Sequence, residues 1–374
     1  MRVAFNAQLI GDSNSGVENY MLYLLAQMDA LLGQSDHSID VFVRGNQHCN
    51  WNHLNVERIG GPRRSRLCRI GWEQFILPMK LSKEYDLTHA PGYIAPLMSN
   101  IPVVLTVHDL IALQHPRLCS RANALYYRLT LPESIMKAAR IIVPSGWVKS
   151  ALLRRFNRLG EKVTVIYEGV NDRFRTRADD RLMARLIRQY QLTDRFLLYV
   201  GNIEPKKNLP LLLSVFDRLK SRYRSLKLVI CGRIGWKSRR FWKAMKSLTN
   251  KKEVILTGYL SDEAVHALYC LAEVFVFPSL TEGFGVPPLE AMACGTPVVT
   301  TNCGAVAEVV GAAAMMVPPT DDHELEKALV RVLDSEKLRM ELKEKGLAQS
   351  AKYSWGQAAR KTLRVYEEAM QQFA

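Results

Sequence analysis

Residues 277–299 have the sequence FPSLTEGFGVPPLEAMACGTPVV, and the fold can be worked out from this segment. An apolar strand leads into a glycine loop, a short helix follows, and a glycine stop precedes a second apolar strand. Pro287 and Pro288 suit the first turn of that helix, where a missing N–H costs no hydrogen bond. Gly295 suits the cap at its carboxyl end. The segment therefore predicts one β-α-β unit of a parallel sheet.

The same alternation of short apolar strands and longer helical segments continues in both directions. Several of the strands are almost entirely apolar, as expected of strands that are buried on both faces of a parallel sheet. The predicted strands are 3–7, 39–44, 86–89, 103–108, 140–144, 162–167, 196–200, 226–231, 253–256, 274–278, 296–300 and 314–317. We expect an α/β fold built from doubly wound sheets.

The alternation of strands and helices begins again near Phe196. A chain of 374 residues is also too long for one ordinary hydrophobic core. Gly169 and Asn171 suit a turn between domains. We predict Rossmann-like domains at 1–172 and 173–353 that face each other across a cleft. A helix at 354–374, with Ser354 as its N-cap, is expected to pack back on the first domain.

The glycine loop after residue 281 is predicted to bind an anion. Backbone N–H groups and the positive end of the helix dipole lie there, contributed by four residues in a row: Gly283, Phe284, Gly285 and Val286. Glu282 lies at the mouth of this loop and Glu290 just over one helical turn beyond it. Two carboxylates in these positions could accept hydrogen bonds from sugar hydroxyls. Spacing alone leaves open a plain glycine turn with two solvated glutamates.

Two further segments carry candidate site residues. Lys206 and Lys207, in GNIEPKKN, follow a predicted strand and open a helix, where they could neutralise a diphosphate or simply lie on a solvated face. His108 ends the predicted strand 103–108, where it could line a cleft or make only local hydrogen bonds. The turn before Gly16 lacks the Gly-x-Gly-x-x-Gly pattern and a Walker lysine, which disfavours a dinucleotide or ATP site.

The segments EGFGVPPLEAMACGTPVV and GNIEPKKN resemble the Glu-x7-Glu motif and the phosphate-binding element of the retaining glycosyltransferases of family 4. The resemblance covers nearly the whole chain and is most specific in the second half. It implies the GT-B fold, with acceptor binding in the first domain and nucleotide-sugar binding in the second.

The resemblance also assigns roles to the candidate residues. Glu290 would bind the donor ribose, Glu282 would face the transferred sugar, and Lys207 would bind the diphosphate. The family often has a basic residue near 202 or 206. Asn202 is neutral in this chain, so Lys206 becomes the candidate for the basic role, and Asn202 remains a candidate donor-binding residue. The resemblance further places His108 near the transferred sugar and Gly16 in a loop near the donor phosphate.

The predicted activity is transfer of a hexose from a nucleotide diphosphate donor, with retention at the anomeric carbon. The segments WEQFILP and DLTHAPGYIAP resemble bacterial members that build surface polysaccharide with mannose or related sugars. GDP-mannose is therefore the first candidate donor, and a lipid-linked or oligosaccharide glycan is the expected acceptor. A sugar-nucleotide epimerase or a phosphorylase on the same fold remains an alternative. A basic nucleic-acid-binding protein is disfavoured, because the chain has no recognisable nucleic-acid-binding motif.

The net charge of +15 predicts anionic partners. Arginines at 58, 63, 64, 66 and 69 lie near Trp72 and Phe75, and a second basic cluster covers 117–158, so we expect docking on an anionic membrane rather than only a soluble basic surface. No signal segment or membrane span is evident, which predicts a cytoplasmic protein on the inner face of the membrane.

Neither a cofactor nor a metal is expected. No Asp-x-Asp motif occurs, and none of the seven cysteines forms a Cys-x-x-Cys pair, so we interpret them as reduced, buried thiols.

Overall fold

The computed structural model describes residues 1–11, 15–33, 37–44, 51–59, 66–192 and 195–372. Arg63, Arg64 and Cys49 lie outside these ranges. The chain divides into two compact units. The first comprises Met1–Leu113, Ala122–Gly169 and Ser354–Ala374, and the second comprises Gln114–Arg121 and Val170–Tyr353.

The first unit contains a parallel sheet of seven strands in the order β3-β2-β1-β4-β5-β6-β7. The bounds are β1 Arg2–Asn6, β2 Ser38–Arg44, β3 Asn55–Ile59, β4 Leu87–Ala90, β5 Val103–Thr106, β6 Arg140–Val143 and β7 Val163–Val165. The order reverses between β1 and β4. The carboxyl ends of these two strands are therefore the point where such a sheet binds ligands.

The second unit contains a parallel sheet of six strands in the order β10-β9-β8-β11-β12-β13. The bounds are β8 Phe196–Val200, β9 Lys227–Cys231, β10 Val254–Gly258, β11 Val274–Phe277, β12 Val298–Thr301 and β13 Met315–Val317. The order reverses between β8 and β11, so the loops that follow these two strands meet at one edge of the sheet.

Helices connect the strands of both sheets and cover their faces. They are α1 Gly16–Leu32, α2 Arg66–Gly71, a π-helical turn Trp72–Ile76, α3 Leu77–Glu84, α4 Ile111–Gln114, α5 Arg121–Lys137, α6 Gly146–Arg155, α7 Asp180–Tyr190, α8 Leu209–Leu219, α9 Arg239–Ser247, α10 Asp262–Leu271, α11 Val286–Ala293, α12 Val306–Val310, α13 Asp322–Asp334, α14 Glu336–Ser350 and α15 Trp355–Gln371. Within the described residues, none of these helices combines the length and the apolar character needed to cross a bilayer.

Strand β3 is absent from the sequence prediction, whereas the other described strands overlap predicted ones. Its residues, NVERI, are mostly polar because β3 lies at the edge of the sheet and is largely exposed. Strand β5 ends at Thr106, two residues earlier than predicted, so His108 lies in the loop beyond the strand.

The last helix, α15, belongs to the core of the first unit. Trp355, Ala359 and Tyr366 are buried in the same cluster as Phe5 of β1 and Leu24 of α1. Gly169 lies against the start of α15, and only glycine fits there, because a Cβ atom on it would lie only 2.1 Å from the backbone nitrogen of Trp355. Ser354 holds the N-cap position, as predicted, although its side chain makes no capping hydrogen bond.

Candidate functional site

The candidate site of the second unit lies where the loops after β8 and β11 meet. A short 3-10 turn, Pro205–Lys207, follows β8, and the loop of residues 278–285 follows β11. The two loops are joined directly, since the backbone N–H of Leu280 donates to the carbonyl of Lys206 at 2.7 Å. The sheet order therefore brings together segments that are more than seventy residues apart in sequence.

Glu282 forms the centre of this site. Its carboxylate accepts a hydrogen bond from Lys207 Nζ at 2.6 Å, one from Lys206 Nζ at 3.3 Å and one from Ser279 Oγ at 2.9 Å. Burial by itself would raise the pKa of Glu282, but the two ammonium groups outweigh it and lower the pKa to about 2. Glu282 is therefore a buried, charged group at neutral pH.

Both lysines are also largely buried. Their side chains are 19% and 13% exposed for Lys206 and Lys207 respectively, which rules out a solvated face for this pair. Lys207 Nζ also lies 4.7 Å from the centre of the Phe277 ring, in cation–π contact. The three charged groups together carry a net charge of about +1, which suits an incoming anion.

The backbone of Glu282 is fixed from behind by the loop after β12. Ala305 N–H donates to the carbonyl of Glu282 at 3.0 Å. Gly304 has a φ of +53°, and a Cβ atom on it would lie 2.4 Å from that same carbonyl oxygen. Only glycine fits so close to the Glu282 backbone.

Glu290 lies in the second turn of α11 in a different electrostatic setting. It is buried, and Tyr269 Oη donates to its Oε2 at 3.0 Å. Burial raises the pKa of Glu290 to about 8, so its carboxyl group is mostly protonated at neutral pH. Because Glu282 and Glu290 are both buried, a turn with two solvated glutamates is ruled out.

The loop between the two glutamates has the predicted form. Gly285, with a φ of +130°, immediately precedes α11, and prolines occupy its first turn as expected. Phe284 is buried and packs against Tyr353, with ring centroids 5.8 Å apart. Any contribution of Phe284 to ligand binding would therefore come from its backbone. Gly283 and Val286 lie on either side of Phe284 and Gly285 in the sequence.

Glu204 is a site residue that the sequence prediction missed. It is buried, and burial raises its pKa, while the nearby ammonium groups of Lys206 and Lys207 act in the opposite direction. The side chain of Asn202 is hydrogen-bonded to it. This hydrogen bond from Asn202 favours the charged form of Glu204. Tyr269 and Ser279 were missed as well, because a tyrosine and a serine in apolar segments give no signal of their own.

His108 belongs to the first unit and is tightly held there. Its Nε2 lies 2.9 Å from the carbonyl oxygen of Pro91, which can only accept, so Nε2 carries the proton. Nδ1 faces Glu168 at 3.6 Å, and the rings of Tyr20 and Tyr93 pack edge-on against the imidazole. Its immediate contacts therefore include a carboxylate, Glu168, that the sequence did not indicate.

Gly16 is the first residue of α1 in the first unit. The preceding Ser15 accepts a hydrogen bond from Glu18 N–H at 3.3 Å, and the Glu18 carboxylate accepts one from Gly11 N–H at 2.6 Å. Residues 12–14 of this turn lie outside the described ranges. These contacts account for a helix start and leave the role of Gly16 at the donor phosphate a prediction.

The predicted membrane-facing clusters are partly incorporated into the fold. Trp72 is buried, and Arg69 forms an ion pair at 3.0 Å with the buried Glu73. Arg140 donates to the carbonyl of Glu161, and Lys149 Nζ to the carbonyl of Val163. These side chains therefore take part in the packing, ion pairing and hydrogen bonding of the first unit.

Two family patterns together match most of the chain. Residues 14–174 match the family described as "Glycosyltransferase Family 4", and residues 185–349 match "Glycosyl transferases group 1".

The curated relatives include enzymes of O-antigen synthesis. The O-antigen chain mannosyltransferase B of Escherichia coli is 30% identical over 287 residues, which is 76% of this chain and 74% of the relative. The O-antigen chain mannosyltransferase RfbU of Salmonella typhimurium is 25% identical over 340 residues, which is 87% and 90% of the two chains.

Solved structures of the same fold cover the chain from end to end. Sucrose-phosphate synthase from Thermosynechococcus elongatus superposes with a TM-score of 0.79 at 20% identity, covering 100% of both chains. HepE from Anabaena, solved with UDP and glucose, gives a TM-score of 0.77 at 18% identity, covering 98% of this chain and 99% of HepE. At these identities the likeness establishes the fold. The two family matches and the similarity to enzymes of O-antigen synthesis show that this chain is a glycosyltransferase of the GT-B fold and belongs to family 4.

Proposed function

We propose that this glycosyltransferase transfers mannose from GDP-mannose, with retention, to a lipid-linked or oligosaccharide acceptor of a surface polysaccharide. The donor assignment is supported by the two mannosyltransferase relatives. The observation that carries the mechanism is the buried cluster of Lys206, Lys207 and Glu282 at the switch point of the second sheet.

The lysines of this cluster are proposed to stabilise the departing diphosphate. Negative charge grows on the diphosphate as the glycosidic bond breaks, and fixed ammonium groups in a partly buried site stabilise that charge strongly. Lys207 is held on two sides, by Glu282 and by the Phe277 ring, so little reorganisation is needed during the reaction. We propose that these cations replace a divalent metal and that no cofactor takes part.

Glu282 and Glu290 are proposed to serve the two ends of the donor. Glu282, already charged, would stabilise the positive charge that develops on the sugar. Glu290, buried beside Tyr269, would bind the ribose hydroxyls. In its charged form it accepts hydrogen bonds from both hydroxyls, so nucleotide binding should favour loss of its proton.

We further propose that the first unit docks on an anionic membrane. Exposed large apolar side chains on α2, the π-helical turn, α3 and α5 form what we call the apolar surface: Leu67, Phe75, Ile76, Met79, Leu125, Leu129 and Met136. Their elements adjoin one another, because Gln74 of the π-helical turn and Ser134 of α5 both bond to the backbone of Ala95.

Basic side chains border the apolar surface. Lys80, Arg128 and Lys137 are exposed on the same helical segments. Apolar side chains that enter the headgroup region, bordered by cations that attract anionic lipids, are the usual composition of an interfacial surface. A lipid-linked acceptor would be reached from such a surface.

The first test is turnover of the donor. With GDP-mannose and a mannosyl oligosaccharide on an alkyl diphosphate, we expect GDP release and an α-linked product by proton NMR, and equal rates in excess EDTA. UDP-glucose should react far more slowly. An epimerised donor without GDP release, or a rate that depends on added Mg²⁺ or Mn²⁺, would contradict the proposal.

Substitutions in the lysine–glutamate cluster should mainly lower kcat. Lys207→Ala removes a preorganised charge-stabilising contact and should lower kcat by about 10²-fold, and Glu282→Gln should also lower it, with a smaller effect on nucleotide affinity. The exposed Lys246→Ala, which makes the same change of charge on α9, is the control and should keep wild-type kinetics. Folded Lys207→Ala and Glu282→Gln variants with unchanged kcat would refute these roles.

Glu290 should make nucleotide binding depend on pH. Because its pKa is about 8 in the free protein and ribose hydroxyls favour the charged form, GDP affinity should rise with pH up to that value. The gain is at most about tenfold per pH unit. Calorimetry should show a proton released on binding. Glu290→Gln should weaken binding and flatten its pH profile, whereas the exposed Glu336→Gln should change neither.

The same raised pKa has a consequence for stability that does not depend on the nucleotide. The folded state holds the Glu290 proton more tightly than the unfolded state, so this stabilising contribution is complete below the unfolded pKa of about 4.3 and is lost as pH rises through about 8. Relative to wild type, Glu290→Gln should therefore gain melting temperature as pH rises. A constant difference across this range would mean that Glu290 is not buried as described.

Vesicle flotation should test the membrane surface. We expect binding to phosphatidylglycerol vesicles that weakens as salt rises, because screening beyond about 8 Å is already strong at physiological ionic strength. Phe75→Ser combined with Leu129→Ser should reduce it, whereas Met340→Ser, an exposed apolar residue of the second unit, should not. Equal binding to neutral vesicles, or none to either, would disprove an anionic docking surface.

A further inference from the structure

Three side chains that can bind a metal come together in the second unit, outside the Glu282 cluster. His266 and Cys270 are four residues apart on α10 and so lie on one face of that helix. Cys294 directly follows the last residue of α11. One ring nitrogen of His266 and the two Sγ atoms all lie within 4.8 Å of one another.

Two thiols and an imidazole are a ligand set typical of zinc. In a tetrahedral zinc site, with Zn–S near 2.3 Å and Zn–N near 2.0–2.1 Å, the donor atoms are about 3.5–3.8 Å apart. Donor atoms no more than 4.8 Å apart could reach that geometry by shifts of about 1 Å. Magnesium and calcium prefer oxygen ligands and would not be selected by this set.

The surroundings hold these side chains in converging positions. The carbonyl oxygen of Arg175 lies 2.7 Å from His266 Nε2 and accepts a weak hydrogen bond from Cys270 Sγ at 3.4 Å. The Phe174 ring packs edge-on against His266 at 6.0 Å between centroids. His266 and Cys294 are buried, whereas Cys270 is partly exposed and provides an entry path for an ion.

We propose that His266, Cys270 and Cys294 form a zinc site with three protein ligands and one open position, and that the ion links α10 to α11. These are the helices that carry Tyr269 and Glu290, which are hydrogen-bonded to each other at 3.0 Å. A zinc ion would thus cross-link the same two helices from a neighbouring position and stabilise the second unit against unfolding. The proposal concerns folding and metal binding and does not depend on the identity of the sugar donor.

The test is a metal titration of the full chain, reduced with a phosphine and freed of metal. We expect one equivalent of Co²⁺ to bind with a thiolate-to-cobalt charge-transfer band and tetrahedral d–d bands. Zn²⁺ should displace the cobalt and raise the melting temperature. Cys270→Ser and His266→Gln should each weaken cobalt binding by at least about tenfold, because each removes one ligand. Cys231→Ser and Cys303→Ser, which alter buried thiols of the same unit outside the cluster, should bind as wild type.

Two results would overturn this assignment. One is the absence of cobalt binding in the reduced protein; a Cys270–Cys294 disulfide found by mass spectrometry without reductant would then make the pair a redox couple instead. The other is binding that survives both Cys270→Ser and His266→Gln.

Discussion

The buried carboxylate of Glu282 remains charged only because two ammonium groups and a hydroxyl surround it. An unpaired carboxylate in such a place would cost several kcal/mol or take up a proton. The pairing has structural requirements: β8 must lie beside β11 so that their loops meet, and the loop after β12 must have glycine at 304 to approach the Glu282 backbone. Much of the second unit is thus arranged to place Lys206 and Lys207 beside one acid.

The sequence predicts the fold well because its evidence is local. An apolar strand followed by an amphipathic helix can be recognised segment by segment, and the rule for parallel sheets then supplies the ligand-binding edge. Strand β3 escapes detection because an exposed edge strand needs no apolar run. Strand ends differ from prediction because an apolar residue such as Val107 can remain buried beyond the point where regular pairing stops.

The sequence predicts individual residues of the candidate site but not the hydrogen bonds and ion pairs that join them. The motifs single out Lys207, Glu282 and Glu290, yet nothing in them indicates that Lys207 binds Glu282 or that Tyr269 binds Glu290. These pairs depend on strand order, which brings distant segments together. The same reason hides the cluster of Cys270 and Cys294, since a search for closely spaced cysteines detects only ligands that lie near one another in sequence.

Glu282 and Glu290 differ in charge state although they are only eight residues apart, because only Glu282 has cations beside it. In the proposed donor complex both environments change. A diphosphate beside Lys206 and Lys207 would weaken their hold on Glu282 and raise its pKa, whereas ribose hydroxyls would lower the pKa of Glu290. The free protein thus holds the two carboxyl groups in opposite states, and the donor brings their pKa values closer together. In that proposed complex, each end of the nucleotide sugar would act on a carboxyl group whose charge state the fold has set in advance.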